Sequence, residues 1–467
     1  MGLTGLGFIL LFLAGLLLAF IRHPIYGLFS YMLAFYMGPD TAWWGEGLPN
    51  LRWAMSSALV TLIAVLVHKQ PEGRISWYSH RSVKIMMLLA AWIWIQTLWA
   101  LSTDNNIFLA SLFTKYVLIF AIIYRALDTP ERVHQFAIAH IIGCFWWGYL
   151  AWQHPGGGRL EDIGTGDVAG SAFASMHVST ALAIAGFFVL SFPGWKRWAP
   201  FVAIPFILNA IILMQTRGAF VGLIGAAPLA LLLGPKNKRK IVSIYLALGG
   251  ILLLIVANDA FWERMGTIKP EEGEQMEASA ASRFDIAEAN WRMFKDHPLG
   301  AGHRGNDLLS PDYMPSRLLT DKEGAQIRSA HNTIMAILVD HGIVGIMLFV
   351  LLHIAVTRAI LRLRRDSLGD PSPQMMAFAA GLAVALAIYW LNAQFANMIK
   401  AEIVVWIAAM VAALQSHRAL QEPVTVPAQS GALRRKRLAA GRPAASPTPR
   451  NHAEPVKNAR RRPPSRP

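Results

Sequence analysis

The chain has 467 residues, 54% of them hydrophobic and 15% charged, with a net charge of +15 and a mean hydropathy of +0.40. Soluble domains carry about 25% charged residues, so a water-soluble globular enzyme is excluded and an all-α polytopic integral membrane protein is expected. The single cysteine, Cys144, lies in an apolar run and excludes an intrachain disulfide or a multi-cysteine metal site.

Apolar runs long enough to cross about 30 Å of hydrocarbon recur from end to end. The first, LTGLGFILLFLAGLLLAF, has no basic n-region and no small-x-small cleavage site, so it reads as a retained transmembrane helix. Further spans are predicted near 24–38, 51–68, 83–101, 107–125, 131–152, 172–191, 198–215, 217–234, 240–257, 343–358, 374–396 and 399–416. The run 24–38 is short, which gives 12–13 spans: thirteen with the N-terminus outside, or twelve with it inside. Five regions follow. They are an N-terminal transmembrane bundle (1–200), core transmembrane helices (201–257), a large loop carrying the site (258–342), C-terminal transmembrane helices (343–417) and a basic tail (418–467).

The tail holds twelve Lys/Arg against Glu422 and Glu454, a net +10, with little to bury, so disorder is expected. It reads as a cytoplasmic anchor near anionic lipid rather than a nucleic-acid binder. The short basic segments RAILRLRR (358–365) and PKNKRK (235–240) then belong on the same side, with WKR (195–197), RALDTPER (125–132) and 69–84. The segments 39–50, 102–106, 153–171 and 258–330, and the boundary MQTRGAF (214–220), fall on the opposite, outer side. At 73 residues the segment 258–330 is long enough to expect structure and a function. Within it, 282–298 is predicted as an amphipathic helix capped by Ser282, with Phe284, Ala287, Trp291 and Phe294 on one face and HPLGAG as its stop.

Arg217 sits between two apolar runs, where an arginine either snorkels to the interface or forms an anion site. Gly218 and Gly222 beside it admit a close helix or ligand. Arg283 opens the loop helix. HPLGAGHRGND (297–307) has amides that could face an anion, although it is not a Walker motif. His331 and Asn332 open HNTIMAILVDHG, a helix of about 16 Å that is too short to span, and Gly342 is its natural stop. A neutral imidazole at its start is a competent general base near pH 7; the alternative is a histidine that only caps the helix. His341 reads as structural. Metal chemistry is not signalled: HExxH, a cysteine cluster and an outward D-x-D are all absent, and Asp162 and Asp167 have no metal-ligand spacing.

In order along the chain, TRGA (216–219), then Ser282, Arg283, Trp291, His297, Pro298, Leu299, Gly300 and Gly302, then His331, Asn332, Leu338, Gly342 and Gly345 resemble the O-antigen ligase family (the Wzy-C type membrane domain) over residues 210–360. Thr216 stands where the family more often has serine. The segment 22–54 resembles, more narrowly, the O-glycosylation ligases of exosortase-associated polysaccharide systems. The resemblance implies a metal-independent, cofactor-free, GT-C-like glycosyltransferase of a bacterial inner membrane, working at the periplasmic face. Its donor would be a glycan on undecaprenyl diphosphate, and its acceptor a lipid A-core sugar or a protein hydroxyl. Arg217 and Arg283 would hold the donor diphosphate and His331 would act as general base. Arg328 and Asn332 would orient, and His303 and Arg304 would contact glycan or phosphate. The competing readings are an O-antigen polymerase, a protein O-oligosaccharyltransferase and, outside enzymes, a lipid-linked-sugar transporter, against which the absence of a visible repeat argues.

Overall fold

The computed structural model describes residues 2–49, 51–153, 159–164, 170–191, 194–266, 274–322, 325–366 and 373–421. The basic tail beyond 421, including RRKR and RRR, lies outside the described residues.

Without water to pair with, a backbone in hydrocarbon must bond to itself, so each apolar run closes into a helix. The thirteen runs appear as α1 (Leu3–Ile21), α2 (Ile25–Met37), α3 (Trp53–Val67), α4 (Arg81–Gln96), α5 (Thr103–Ala126), α6 (Pro130–Gln153), α7 (Ser171–Ser191), α8 (Pro200–Met214), α9 (Arg217–Leu233), α10 (Arg239–Val256), α14 (Thr333–Asp366), α15 (Pro373–Asn392) and α16 (Ile403–Gln421). The loop contributes α11 (Asp259–Gly266), α12 (Glu274–Asp296) and α13 (Gly305–Tyr313). Seven of the described helices, α1, α5, α7, α10, α14, α15 and α16, are long and apolar enough to cross a membrane, and α2, α3, α8 and α9 are shorter apolar helices. α16 carries the last apolar run past the predicted tail boundary at 418.

α7 packs on α15 and α8, α9 on α15, α4 on α14, and α2 is enclosed by α1, α3 and α6. Gly218, Gly222 and Gly225 of α9 meet Asn392, Ile388 and Leu391 of α15, so the close partner their spacing admits is a helix. The connections fall at two ends. At one, here the loop end, the 258–332 segment meets the α4–α5 connection through Leu101 N–H to Ala301 O. It meets the α8–α9 break through Arg264 Nε to Gln215 O. At the far end, Arg74 donates to the carbonyls of Tyr124 and Leu127 and Arg364 donates to Leu233 O, which ties 69–84 to 125–132 and 358–365 to the end of α9, just before 235–240.

Three loop expectations change. α12 begins eight residues before Ser282, so Ser282 lies inside the helix and does not cap it. Its buried face is Ala289, Asn290 and Met293, while Phe284 (77%) and Trp291 (52%) are exposed; the buried stripe is offset from the aromatic one because α13 and α14 pack there. A two-stranded hairpin, Thr320–Lys322 with Ala325–Ile327, follows, which no apolar pattern announced. The break at Gly342 is as expected. Its φ of 65° interrupts α14, and a side chain there would strike Pro298 and Leu299. The 333–341 arm thus ends against the turn at 298–302.

Candidate active site

α8 and α9 are joined by only two residues. Gln215 is left-handed (φ 47°) and Thr216 is the N-cap of α9, so α8 ends and α9 begins almost at one point. The last carbonyls of α8 are taken up by guanidinium groups: Arg159 Nε donates to Met214 O (3.1 Å) and Arg264 Nε to Gln215 O (2.9 Å). Cations are favoured at a helix C-terminus and anions at an N-terminus. Arg217, the first residue of α9, adds a third guanidinium. Burial, with the like charges of Arg264 and Arg217, holds Arg159 below the usual arginine range, while Glu161 at 2.6 Å opposes this. The Thr216 hydroxyl is buried and has no hydrogen-bond partner among the described residues. Asn392 packs against Gly218, and its Nδ2 is in the same condition.

His331 has a left-handed backbone (φ 48°) and is exposed. A histidine held there carries strain, and strained residues concentrate at functional sites. The structure assigns the cap to its neighbour: Asn332 Oδ1 accepts the N–H groups of Ile334 (2.9 Å) and Met335 (3.1 Å). Helix capping therefore does not account for His331. Asn332 Nδ2 also donates to Gln394 Oε1 (3.2 Å). Thr333 N–H donates to Ala393 O (2.8 Å) and Thr333 Oγ1 to Ala396 O (2.7 Å). The α15–α16 connection (393–402) is thus bonded to the segment holding His331, and it directly follows Asn392, which touches Gly218. One short connection draws the start of α9 and the start of the 333–341 arm to the same place.

The approach to His331 is fixed from the other side by α13. Asn306 Oδ1 accepts from Ala330 N–H (2.8 Å), Asp307 Oδ1 from the Ser329 hydroxyl (2.7 Å) and Ser310 Oγ from Arg328 N–H (2.8 Å). Asn306 Nδ2 in turn donates to Asn290 Oδ1 of α12. Arg328 is half-buried, and its Nε has no partner among the described residues. Arg283 lies on α12, and its side chain is outside the described residues. Arg304 is left-handed at the N-cap of α13, with its side chain on Asp307 (3.3 Å). His303 is placed elsewhere, buried against Asp340 and His341 at the other end of the 333–341 arm.

The HPLGAG turn does not offer its amides to an anion. Ala301 N–H donates to Val339 O (3.0 Å), Gly302 N–H to Asp340 O (2.8 Å) and His303 N–H to Asn106 Oδ1 (3.1 Å). The turn is spent on docking the loop to α4, α5 and α14.

Arg159, Arg264, Asn392, Gln394 and Asn306 were not singled out from the sequence. Arg264 had a usable signal, a cation in the outer loop one helical turn after an aromatic pair; the others are polar residues whose partners lie far away in the chain. Two sets of side chains have metal-ligand geometry among the described residues: His23, His68 and Asp128 at the far end, and His303, Asp340 and His341 at the loop end. Neither has a sequence spacing that would reveal it. A cavity of about 320 Å³ opens at the far end, lined by Arg81, Arg358 and Arg362 among others, and none of the candidate residues borders it.

Residues 201–350 match the family model described as O-antigen ligase. The resemblance carried by the motifs of 210–360 is therefore supported at the level of the family. The match does not extend over the first 200 residues, on which the narrower likeness rests. Comparison with curated proteins gives no match.

Proposed function

We propose that this chain, similar over residues 201–350 to O-antigen ligases, is a membrane glycosyltransferase that moves a glycan from undecaprenyl diphosphate to an acceptor hydroxyl at the periplasmic face of a bacterial inner membrane, with its C-terminus cytoplasmic. The observation that carries this reading is the convergence at the α15–α16 connection. Through it Gly218, at the basic start of α9, and Thr333, two residues past His331, reach the adjacent residues Asn392 and Ala393, and His331 is exposed with a strained backbone that capping does not explain.

In this reading the diphosphate sits at the start of α9. Arg217, the Thr216 hydroxyl and Asn392 Nδ2 face it, Arg159 and Arg264 hold the α8–α9 break in shape, and Arg283 joins from α12. Permanently charged, bidentate guanidinium donors can hold the charge that grows on the leaving diphosphate. His331 takes the acceptor proton as the acceptor oxygen attacks the anomeric carbon. The bond from that carbon to the phosphate oxygen breaks, its electron pair leaves with undecaprenyl diphosphate, and attack from the opposite side inverts the configuration. The polyprenyl tail would run along α9, where Ile224 and Leu232 are exposed. A lipid A-core sugar is the acceptor favoured by the family; a protein hydroxyl or a growing glycan is the alternative.

The test is glycan transfer in membranes carrying His331→Asn, Arg217→Ala or Arg283→Ala at equal expression. Asparagine tolerates the left-handed backbone at 331, so that variant tests the imidazole alone. Loss of transfer in all three is expected, and wild-type transfer in the His331 variant overturns the assignment. Analysis of the wild-type product separates ligase (glycan on lipid A-core or protein) from polymerase (a longer lipid-linked glycan).

A further inference from the structure

His303, Asp340 and His341 are 7%, 2% and 0% exposed, and one ligand atom of each lies within 4.8 Å of the other two. They join three elements: the docking turn, the 333–341 arm and, through a hydrogen bond, the end of α4. Gln96 Nε2 donates to Leu299 O (2.9 Å) and Asp340 O (3.2 Å), which leaves Gln96 Oε1 as the acceptor toward His341 Nδ1 (2.7 Å). A carbonyl oxygen cannot donate, so Nδ1 of His341 carries the proton and Nε2 holds a lone pair. That Nε2 is buried with no partner among the described residues, and so is Nδ1 of His303. Asp340 stands 3.8 Å from His303 Nδ1, too far for a hydrogen bond. Its oxygens accept the backbone N–H groups of Arg304 (3.1 Å) and Asn306 (2.7 Å), and no lysine or arginine side chain is bonded to it among the described residues.

Two buried imidazole nitrogens without partners, converging on a carboxylate with spare lone pairs, leave their hydrogen-bonding capacity unmet, and such groups demand an explanation. A histidine whose other nitrogen donates to an amide or carbonyl oxygen is the usual form of a metal-ligating histidine, because the outer bond fixes the tautomer and aims the ring. We infer that His303 Nδ1, His341 Nε2 and a carboxylate oxygen of Asp340 form a site for a zinc-class divalent cation, with water as the fourth ligand. Zinc–nitrogen bonds of about 2.0–2.1 Å set ligand edges near 3.4 Å, so closure asks each ligand to move by about 1 Å or less. The site sits about 15 Å along the arm from His331, nine to ten helical residues away. It therefore takes no part in the transfer step. Its effect is to clamp the turn at 298–306 to α4 and α14, at the root of the segment that carries His331.

The test uses full-length protein, purified without a histidine tag, stripped with chelator and titrated with Co²⁺ and Zn²⁺ alone. One equivalent of Co²⁺ with visible d–d bands is expected, together with a rise in melting temperature on adding Zn²⁺. His303→Ala/His341→Ala should lose both, while His68→Ala at the far end keeps both. Gln96→Ala removes the outer hydrogen bond to His341, together with the two to Leu299 O and Asp340 O, and should weaken Zn²⁺ binding by about 10–100-fold. Wild-type protein that shows neither bands nor a melting shift overturns the site, whatever the variants do. So does a double variant that binds metal as the wild type does. Neither readout depends on glycan transfer, so failure here leaves the proposed activity standing.

Discussion

Both ends of the bundle hold a His-Asp-His set, and the two are built on opposite terms. At the far end, Ile25 N–H donates to His23 Nδ1 (3.2 Å), so Nε2 of that ring carries a proton and donates to Asp128 Oδ2 (3.2 Å). His68 Nε2 shares the same oxygen at 3.4 Å and Arg132 pairs with Oδ1 at 2.5 Å. Histidine, carboxylate and arginine are all accounted for, and a cation would have to displace a proton beside a guanidinium. At the loop end the same residue types leave two ring nitrogens without partners among the described residues, and toward the His331 end of the arm Thr216, Arg328 and Asn392 also hold buried polar atoms in that condition. Residue type does not distinguish a structural cluster from a binding site. Whether the hydrogen bonds close does, because an unmet buried polar group costs about 1–3 kcal/mol unless something occupies it.

The contrast breaks most visibly through two substitutions that should act on different quantities. His331→Asn is expected to lower transfer by about 10²–10⁴-fold, the usual range for a lost general base, with the melting temperature near that of wild type. A variant that retains transfer makes the loop end as structural as the far end. Asp128→Ala should do the reverse: it strands His23 and Arg132 and costs about 2–4 kcal/mol of stability, read as a lower melting temperature, while transfer per folded molecule stays as in wild type.

Acid sharpens the same point. Burial alone would raise the Asp128 carboxyl, but the His23 hydrogen bond and the Arg132 guanidinium outweigh it and hold the group at about 2, against an ordinary value of 3.8. A depressed carboxylate contributes stability that is fully present above its unfolded value and lost as pH falls through the folded one. Roughly 2 kcal/mol should therefore disappear between about pH 4 and pH 2. Melting curves across that window should show the loss in the wild type and little of it in Asp128→Asn.

Much of the bundle was legible because burial in lipid writes itself as long apolar runs: all thirteen runs are helices, and of the basic segments predicted to share a side, 69–84 is bonded to 125–132 and 358–365 to the end of α9 just before 235–240. The break at Gly342 was legible too, since a glycine after a short helix is a local signal. The loop was harder. Ser282 looked like a cap because serine precedes an apolar periodicity, yet α12 continues eight residues further back. The amides at the end of HPLGAG looked available because no local acceptor is evident for them, but those of Ala301 and Gly302 donate to Val339 and Asp340, and the next, of His303, to Asn106. The residues on either side of His331 are likewise held by Asn306, some 25 positions earlier, and Gln394, some 60 later. Such couplings leave no period and no spacing, and only the folded chain shows them.

Asn332 carries the smallest and most discriminating prediction, since it belongs to both sides of the comparison. Its Oδ1 caps the 333–341 arm and its Nδ2 reaches Gln394, so Asn332→Ala should cost about 1 kcal/mol from the cap alone. If the residue only capped, Asn332→Asp would restore both stability and transfer, because a carboxylate caps as well as an amide does. Aspartate keeps the acceptor and loses the donor to Gln394, however, and it places a negative charge where the proposed anionic donor would bind. Asn332→Asp is therefore expected to recover the melting temperature while transfer falls several-fold, mostly in the apparent affinity for the lipid-linked donor. Full recovery of transfer would reduce Asn332 to a cap and remove the α15–α16 connection from the site.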